Sequence, residues 1–506
     1  MSSSPDLLRD APAAPALTPT SDAPADSAGA SPHAPPHEPP TGFWAAVREA
    51  LRGSEHDYSR GPLGRAILLL AVPMVLEMAM ESVFAVTDIF FVAHLGPDAT
   101  ATVGLTESLL AVVYALAMGL AIGATAVVAR RTGEGDAAGA GRAAGQAILL
   151  AVGIAAVLGT LGVLFAPRLL ALMGAGPGVL AVGTNYTRVM LGGEASIILL
   201  FVANAIFRGA GDPVVAMRTL WIANGINIVL GPLLIYGPGP LPALGVTGAA
   251  VATTIGRGTG AAIALWQLTR RRPAGARAAR VRVGLGDLRP DRGGLVSLAR
   301  LSSEAALQSL IGTASWIGLV RIVALFGSTA LAGYTVAIRL VIFALLPAWG
   351  LSNAAATLVG QSLGARDAAR AERAVWTTAH YNAAFLGGIG LLFLLAARPL
   401  VGVFTPDAAV VDVGVTCLRV VAAGFVFYAY GMVLTAAFNG AGDTRTPTWL
   451  NLVVFWLFEI PLAWALAVPL GWGATGAFAA IAVSFSALAV VSGVLFRRGR
   501  WKARQL

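Results

Sequence analysis

Phe207-Arg208-Gly209-Ala210-Gly211-Asp212 returns later in the chain as Phe438-Asn439-Gly440-Ala441-Gly442-Asp443. The shift is 438 − 207 = 231 residues. The same shift places Leu95-Gly96 on Phe326-Gly327, Gly119-Leu120 on Gly350-Leu351, and Gly133 and Asp136 on Gly364 and Asp367. After a small gap, Thr247-Gly248-Ala249 meets Thr475-Gly476-Ala477. One shift that aligns four separated sites marks an internal duplication. The chain reads as two copies of one unit.

Between these landmarks the sequence is apolar. Of its 506 residues, 57% are hydrophobic and 12% charged, with a mean hydropathy of +0.75. Soluble domains carry about 25% charged residues, so a water-soluble enzyme is excluded first. Apolar segments cover 66–92, 101–129, 143–166, 181–207, 214–236 and 244–269, then 296–325, 329–359, 374–397, 409–437, 447–469 and 473–496. Each exceeds the ~20 residues of a bilayer crossing, which gives about twelve spans.

The remaining stretches organise the chain. Residues 1–42 are an Ala/Pro/Ser tail that cannot bury enough surface to fold. A cytoplasmic segment 43–65 precedes the first bundle, 66–269. A basic linker 270–295 leads to the second bundle, 296–496, and a basic tail 497–506 ends the chain. Arginines cluster after alternate helices, for example Arg130, Arg131 and Arg142, then Arg366, Arg370 and Arg373. By the positive-inside rule both termini and the linker are cytoplasmic, as in a multi-pass protein of a bacterial-type cytoplasmic membrane. The net charge of +9 is spread over these loops, with no nucleic-acid motif. Cys417 stands alone, so there is no intramolecular disulfide or Cys-based metal cluster.

The expected fold is an all-α membrane protein of two six-helix bundles. Six crossings return the chain to its starting side, so the copies enter the membrane in the same direction. They are then related by a pseudo-two-fold axis along the membrane normal, with a cleft between them that rocking can expose to either side.

Ionised groups inside a span cost roughly 2.5–3.5 kcal/mol on insertion scales and need an explanation. The first span holds Glu77, Glu81 and Asp88 within about 40° of one another, an acidic stripe that faces protein. Glu107 and Glu194 lie on spans that can approach it. Burial and crowding favour the protonated form of such acids, so the stripe can exchange a proton. Acids paired with buried donors such as Arg257 are the structural alternative. In the second copy Glu304, Gln308 and Glu459 are the polar candidates, with Glu304 equally readable as a solvated helix-start acid. Tyr334, Tyr428, Trp316, Trp349, Phe425 and Tyr430 either line a cleft that accepts cations on ring faces or serve as packing and interface anchors. Asn353 joins the cavity set, with helix-to-helix hydrogen bonding as the other reading. Arg321 and Arg339 also fall within spans, where snorkelling to the outer interface accounts for them.

The ensemble Pro73, Thr87-Asp88, Leu95-Gly96, Arg208-Gly209-Ala210-Gly211-Asp212, Asn227, Gly245 to Ala250, Gly350-Leu351-Ser352, Val359-Gly360-Gln361 and Asn439 to Asp443 resembles the multidrug and toxic compound extrusion (MATE) family over residues 65–498. The resemblance implies a secondary antiporter that exports drug-like, cationic small molecules in exchange for H+ or Na+. It implies ion coupling at Asp88, joined by Asn227 and Thr253, which would also be the ligands of a Na+ ion. The family often has a second Asp four residues after that Asn. Gly231 stands there instead, which weakens the Na+ case, and Glu77, Glu81 or Glu194 are the stand-ins. The expected partners are a small-molecule substrate and the lipid bilayer, with no cofactor and a monomeric chain. A lipid or polysaccharide flippase of the same architecture is the alternative. No His-Glu-x-x-His or Gly-x-Ser-x-Gly pattern supports an intramembrane enzyme.

Overall fold

The structure is a computed structural model that describes residues 42–53, 58, 61–238, 242–270 and 281–504, without the side chains of Val86, Asp88, Ile89 and Ala93. The tail and residues 271–280 of the linker thus lie outside the described residues. Every described element is helical. An N-terminal helix α1 (Phe43–Arg52) precedes α2 (Leu63–Ala93), α3 (Pro97–Gly133) and α4 (Ala137–Leu172). The first half continues through α5 (Pro177–Gly192), α6 (Glu194–Gly209), α7 (Pro213–Tyr236) and α8 (Val246–Thr269). The second runs α9 (Arg292–Ala324), α10 (Ser328–Gly364), α11 (Ala368–Gly402), α12 (Ala408–Ala423) and α13 (Phe425–Gly440). It then passes through α14 (Arg445–Asn451), a π-helical segment Leu452–Glu459, α15 (Ile460–Ala467) and α16 (Ala474–Arg497).

Length and apolarity qualify ten helical stretches as membrane spans, α5 with α6 counting as one, and the pair α12–α13, bent by 55°, makes an eleventh. With α8, 24 residues long and placed in the first half as α16 is in the second, the count is twelve. Both α3 and α10 have 37 residues and are offset by 231 at either end. The fourth span of each half is broken at equivalent glycines, Gly193 and Gly424. Sequence periodicity predicted one unbroken helix at each of those places. Apolar composition is blind to a break that leaves both pieces buried.

Local chemistry explains why the repeated motifs fall where they do. Gly211 and Gly442 sit at φ of 80° and 82°, a left-handed backbone that ends one helix and lets Asp212 and Asp443 lead into the next. Asp136 accepts a hydrogen bond from the Gly139 amide at 2.7 Å, and Asp367 accepts one from the Arg370 amide at 2.8 Å. These equivalent aspartates cap α4 and α11. Each half has its own apolar core, the first centred on α3, α4 and α6 and the second on α10, α11, α13 and α16.

One face of the bundle collects the arginines of the short connections and both described chain ends. Here the leading segment, the linker end and the chain end are docked on the bundle. Gln146 of α4 donates to the carbonyls of Asp287 (3.0 Å) and Arg289 (2.9 Å) and accepts from the Asp291 amide (3.0 Å), which pins the end of the linker. Arg370 of α11 donates to the Tyr58 carbonyl at 2.9 Å and the Gly61 carbonyl at 3.0 Å, so the first half's leading segment is tied to the second half. After α16, Trp501 is buried against Phe496, with ring centroids 4.6 Å apart. Arg504 pairs with Asp443 at 3.0 Å while its carbonyl accepts a hydrogen bond from Arg130 of α3.

Candidate functional site: a cleft and a charged network

The two halves close on one another toward the basic face through small residues. A Cβ at Gly133 would overlap the Gln361 carbonyl oxygen, and one at the equivalent Gly364 would overlap that of Arg130. Glycine is therefore required where α3 and α10 cross. Farther along, Gly119 and Gly123 of α3 abut Ser302 and Ala306 of α9, and Gly350 of α10 abuts the backbone of α2 at Met74. Close approach of this kind replaces the hydrophobic drive that is missing between helices in lipid.

Beyond these contacts the halves part. On α3, Val112, Ser108 and Gly104 continue the face of Gly119 and are exposed. On α10, Ile342, Arg339 and Thr335 continue the face of Gly350 and are exposed too. Thr313 and Ile317 do the same on α9, and Ala85 on α2. Val112 keeps 49% of its surface, Ile342 42% and Ile317 63%. Faces buried between the halves at one end and bare at the other define a cleft that opens away from the basic face.

Two acids of the stripe, Glu77 and Glu81, are paired with arginines of the first half. Glu77 and Glu81 reach side chains of α6, α7 and α8 in the first half. There Glu77, 1% exposed, accepts from Arg208 of α6 at 2.6 Å and Asn204 at 3.3 Å. Glu81 accepts from Arg257 of α8 at 2.8 Å and Asn224 of α7 at 3.1 Å. The Arg257 guanidinium also lies over the rings of Phe84, at 5.2 Å, and Tyr114, at 5.9 Å. The expectation that these acids wall an open pocket is corrected for Glu77 and Glu81. In a low-dielectric interior each is held by a matching guanidinium, which compensates the cost of burying its charge.

The rest of the coupling set is distributed around this network. Asn227 of α7 donates to the Thr253 hydroxyl of α8 at 2.7 Å. The backbone of Asp88 continues α2, and its side chain lies outside the described residues. Glu194 heads α6 at the helix break, fully buried, and neither carboxyl oxygen has a hydrogen-bond partner among the described residues. Glu107 is exposed on α3, about 120° from the cleft line. Among the described residues no three His, Cys, Asp or Glu side chains cluster as metal ligands.

The cavity candidates of the second half are mostly elsewhere. Glu304 sits at the basic face and binds Arg445 at 2.7 Å, the Thr444 hydroxyl at 2.6 Å and Arg300 at 3.6 Å. It is an ion-paired acid at the basic face, twelve residues into α9, away from the cleft. Tyr334, 2% exposed, stacks on Phe478 in the core, and Tyr428 stacks on Phe485 with centroids 3.8 Å apart. Glu459 is buried at the end of the π-helical segment, and Gln308 is buried on the side of α9 away from the cleft. Asn353 lies past Gly350, in the closed part of the interface. Ring stacking, which composition cannot reveal, turns Tyr334 and Tyr428 inward. Sequence reading in turn missed Arg339 as a cleft residue. The signal was present in its spacing of eleven residues, three helical turns, from Gly350.

A duplicated six-span bundle with a cleft along its axis defines a multi-pass membrane transporter acting on small molecules. A family model described as MatE matches twice, over residues 73–233 and 305–465, once on each half. The chain belongs to the MatE family. It is 24% identical to a probable multidrug resistance protein NorM of Thermotoga maritima, covering 87% of this chain and 93% of the relative. It is 26% identical to a FAD transporter of Shewanella oneidensis, covering 81% and 89%. Among solved structures, an outward-facing multidrug resistance MATE transporter of the MOP superfamily superposes with a TM-score of 0.81 at 26% identity, covering 88% of this chain and 97% of that one.

Proposed function

We propose that the chain is a secondary active antiporter. It would export drug-like small molecules in exchange for H+ or Na+ by rocking its two halves about their closed end. The observation that carries this reading is the interface itself, shut through Gly133, Gly364, Gly119 and Gly350 and open beyond them. Two like-directed repeats can exchange which end is shut with little internal change. The basic face is taken as cytoplasmic, which places a monomer in a bacterial-type cytoplasmic membrane with its cleft open outward.

Ion coupling is assigned to the first half, at Asp88 with Asn227 and Thr253, supported by Glu77, Glu81 and Glu194. H+ is the favoured ion. Na+ prefers several hard oxygen ligands, Gly231 supplies none, and the Arg257 guanidinium already stands beside Glu81. The expectation of cationic substrates comes from the family resemblance, and an acidic cleft wall would have been its local support. With Glu77 and Glu81 paired inside the first half, that local support falls away. A flippase for anionic lipid or polysaccharide is the second reading, favoured by the arginine that faces the cleft.

The test is dye efflux from vesicles containing the purified chain, driven separately by an imposed pH gradient and an imposed Na+ gradient. Efflux under the pH gradient alone is expected. Movement of labelled lipid without dye efflux would favour the flippase, and no movement of either would overturn transport.

A further inference from the structure

Arg339 stands on the cleft face of α10, eleven residues and about 16 Å from the helix start at Ser328, in the first third of this 37-residue helix. It lies within about 20° of the direction of Gly350, the residue through which α10 meets the other half. Its side chain is exposed, and among the described residues it forms no hydrogen bond or ion pair. A guanidinium does not lose its proton in proteins, so the charge is permanent. Two buried arginines of the first half are matched by acids: Arg208 by Glu77 and Arg257 by Glu81. Among the described residues Arg339 has no such acid.

The asymmetry between halves sharpens the point. The position equivalent to Arg339 in the first half is Ser108, and the one equivalent to Arg321 is Phe90. Arg321 stands nearer the cleft mouth, about 60° from the cleft line of α9. Both guanidiniums therefore belong to the second half. Exposed apolar side chains, Val112, Ile317 and Ile342, surround this level of the cleft.

Resting on the transporter reading, we infer that the second-half wall of the cleft is a subsite for an acidic group of the substrate. Arg339 binds a carboxylate, sulfonate or phosphate through its planar fork, and the apolar body of the molecule lies on Ile317 and Ile342. The substrate class is amphipathic molecules with an anionic group. Polarity is divided between the halves, with proton-exchanging acids in the first and the anion subsite in the second.

The test is equilibrium binding of fluorescein, an amphipathic carboxylate, and ethidium, a cation of similar size, to the detergent-solubilised full chain. Wild type is compared with Arg339→Gln, Arg339→Lys and Thr335→Glu. The last places an acid one turn from Arg339, where it pairs with the guanidinium without removing it. Fluorescein affinity should fall about tenfold in Arg339→Gln and Thr335→Glu, be largely kept in Arg339→Lys, and weaken with salt. Ethidium should bind Arg339→Gln as well as or better than wild type. A parallel arm adds phosphatidylglycerol: displacement of fluorescein assigns the subsite to a lipid headgroup, and no displacement assigns it to soluble anions. Fluorescein affinity unchanged by both neutralising variants, or no fluorescein binding to wild type, overturns the inference. These outcomes are separate from the transport reading, which fails only if the chain moves neither dye nor lipid across vesicles.

Discussion

Arg208 Nη1 lies 2.6 Å from Glu77 Oε1 inside the first half, and in the second half the equivalent residues are Asn439 and Gln308. The duplication thus keeps polar residues at both positions and changes their charge. Gln308 and Asn439 are both buried, as Glu77 and Arg208 are. The first half carries the ionised version, beside the Asn227–Thr253 bond and the Glu81–Arg257 pair.

Breaking that pair from one side should be costly. Arg208→Asn leaves a carboxylate buried without its cation and is expected to lose about 3–5 kcal/mol of stability. The double variant Glu77→Gln with Arg208→Asn copies the second half and should recover most of that loss. Thermal unfolding of the detergent-solubilised variants, arranged as a double-mutant cycle, measures the difference.

The spans and the duplication were legible from sequence because apolar length and a constant 231-residue shift survive without knowledge of any contact. The direction of the acidic stripe was not. Helical spacing placed Glu77, Glu81 and Asp88 on one side of α2, but which neighbours flank that side depends on how α6, α7 and α8 pack. Tyr334 and Tyr428 were misplaced for a related reason: a ring that stacks on Phe478 or Phe485 has the same sequence signature as one that faces a cleft. Arg339 shows the converse. Its three-turn distance from Gly350 was readable, but only the closed contact at Gly350 reveals that this face looks across the cleft.

Closure at the basic face should depend on the absence of side chains at the crossing. Gly364→Val would drive a branched side chain into the Arg130 carbonyl and force α3 and α10 apart. The variant is expected to insert in the membrane yet lose export at least about tenfold, as a misplacement of this size does in other coupled systems. Dye accumulation in a drug-sensitised bacterium, with membrane content measured in parallel, checks it.

The tail after α16 should contribute to the same closure. Trp501→Ala removes a fully buried ring stacked on Phe496 and is expected to cost about 3–5 kcal/mol. Loss of the ring also loosens Arg504, whose carbonyl receives Arg130 of the other half. Proteolysis at the basic face should quicken in this variant, and an unchanged cleavage rate would count against a strap.

Asp88→Asn should insert normally and give no drug resistance, because an amide cannot exchange the proton that coupling requires. Undiminished export by this variant would remove Asp88 from the mechanism. Asn227→Ala should weaken export without abolishing it, since Thr253 remains.

Rocking itself is most directly measured by electron–electron distances between spin labels at Val112 and Ile342, on the bare faces of α3 and α10, in a Cys417→Ser background. The account predicts at least two distance populations, whose balance moves toward the shorter when pH or substrate is changed. A single distance, the same at every pH and with or without dye, would contradict it.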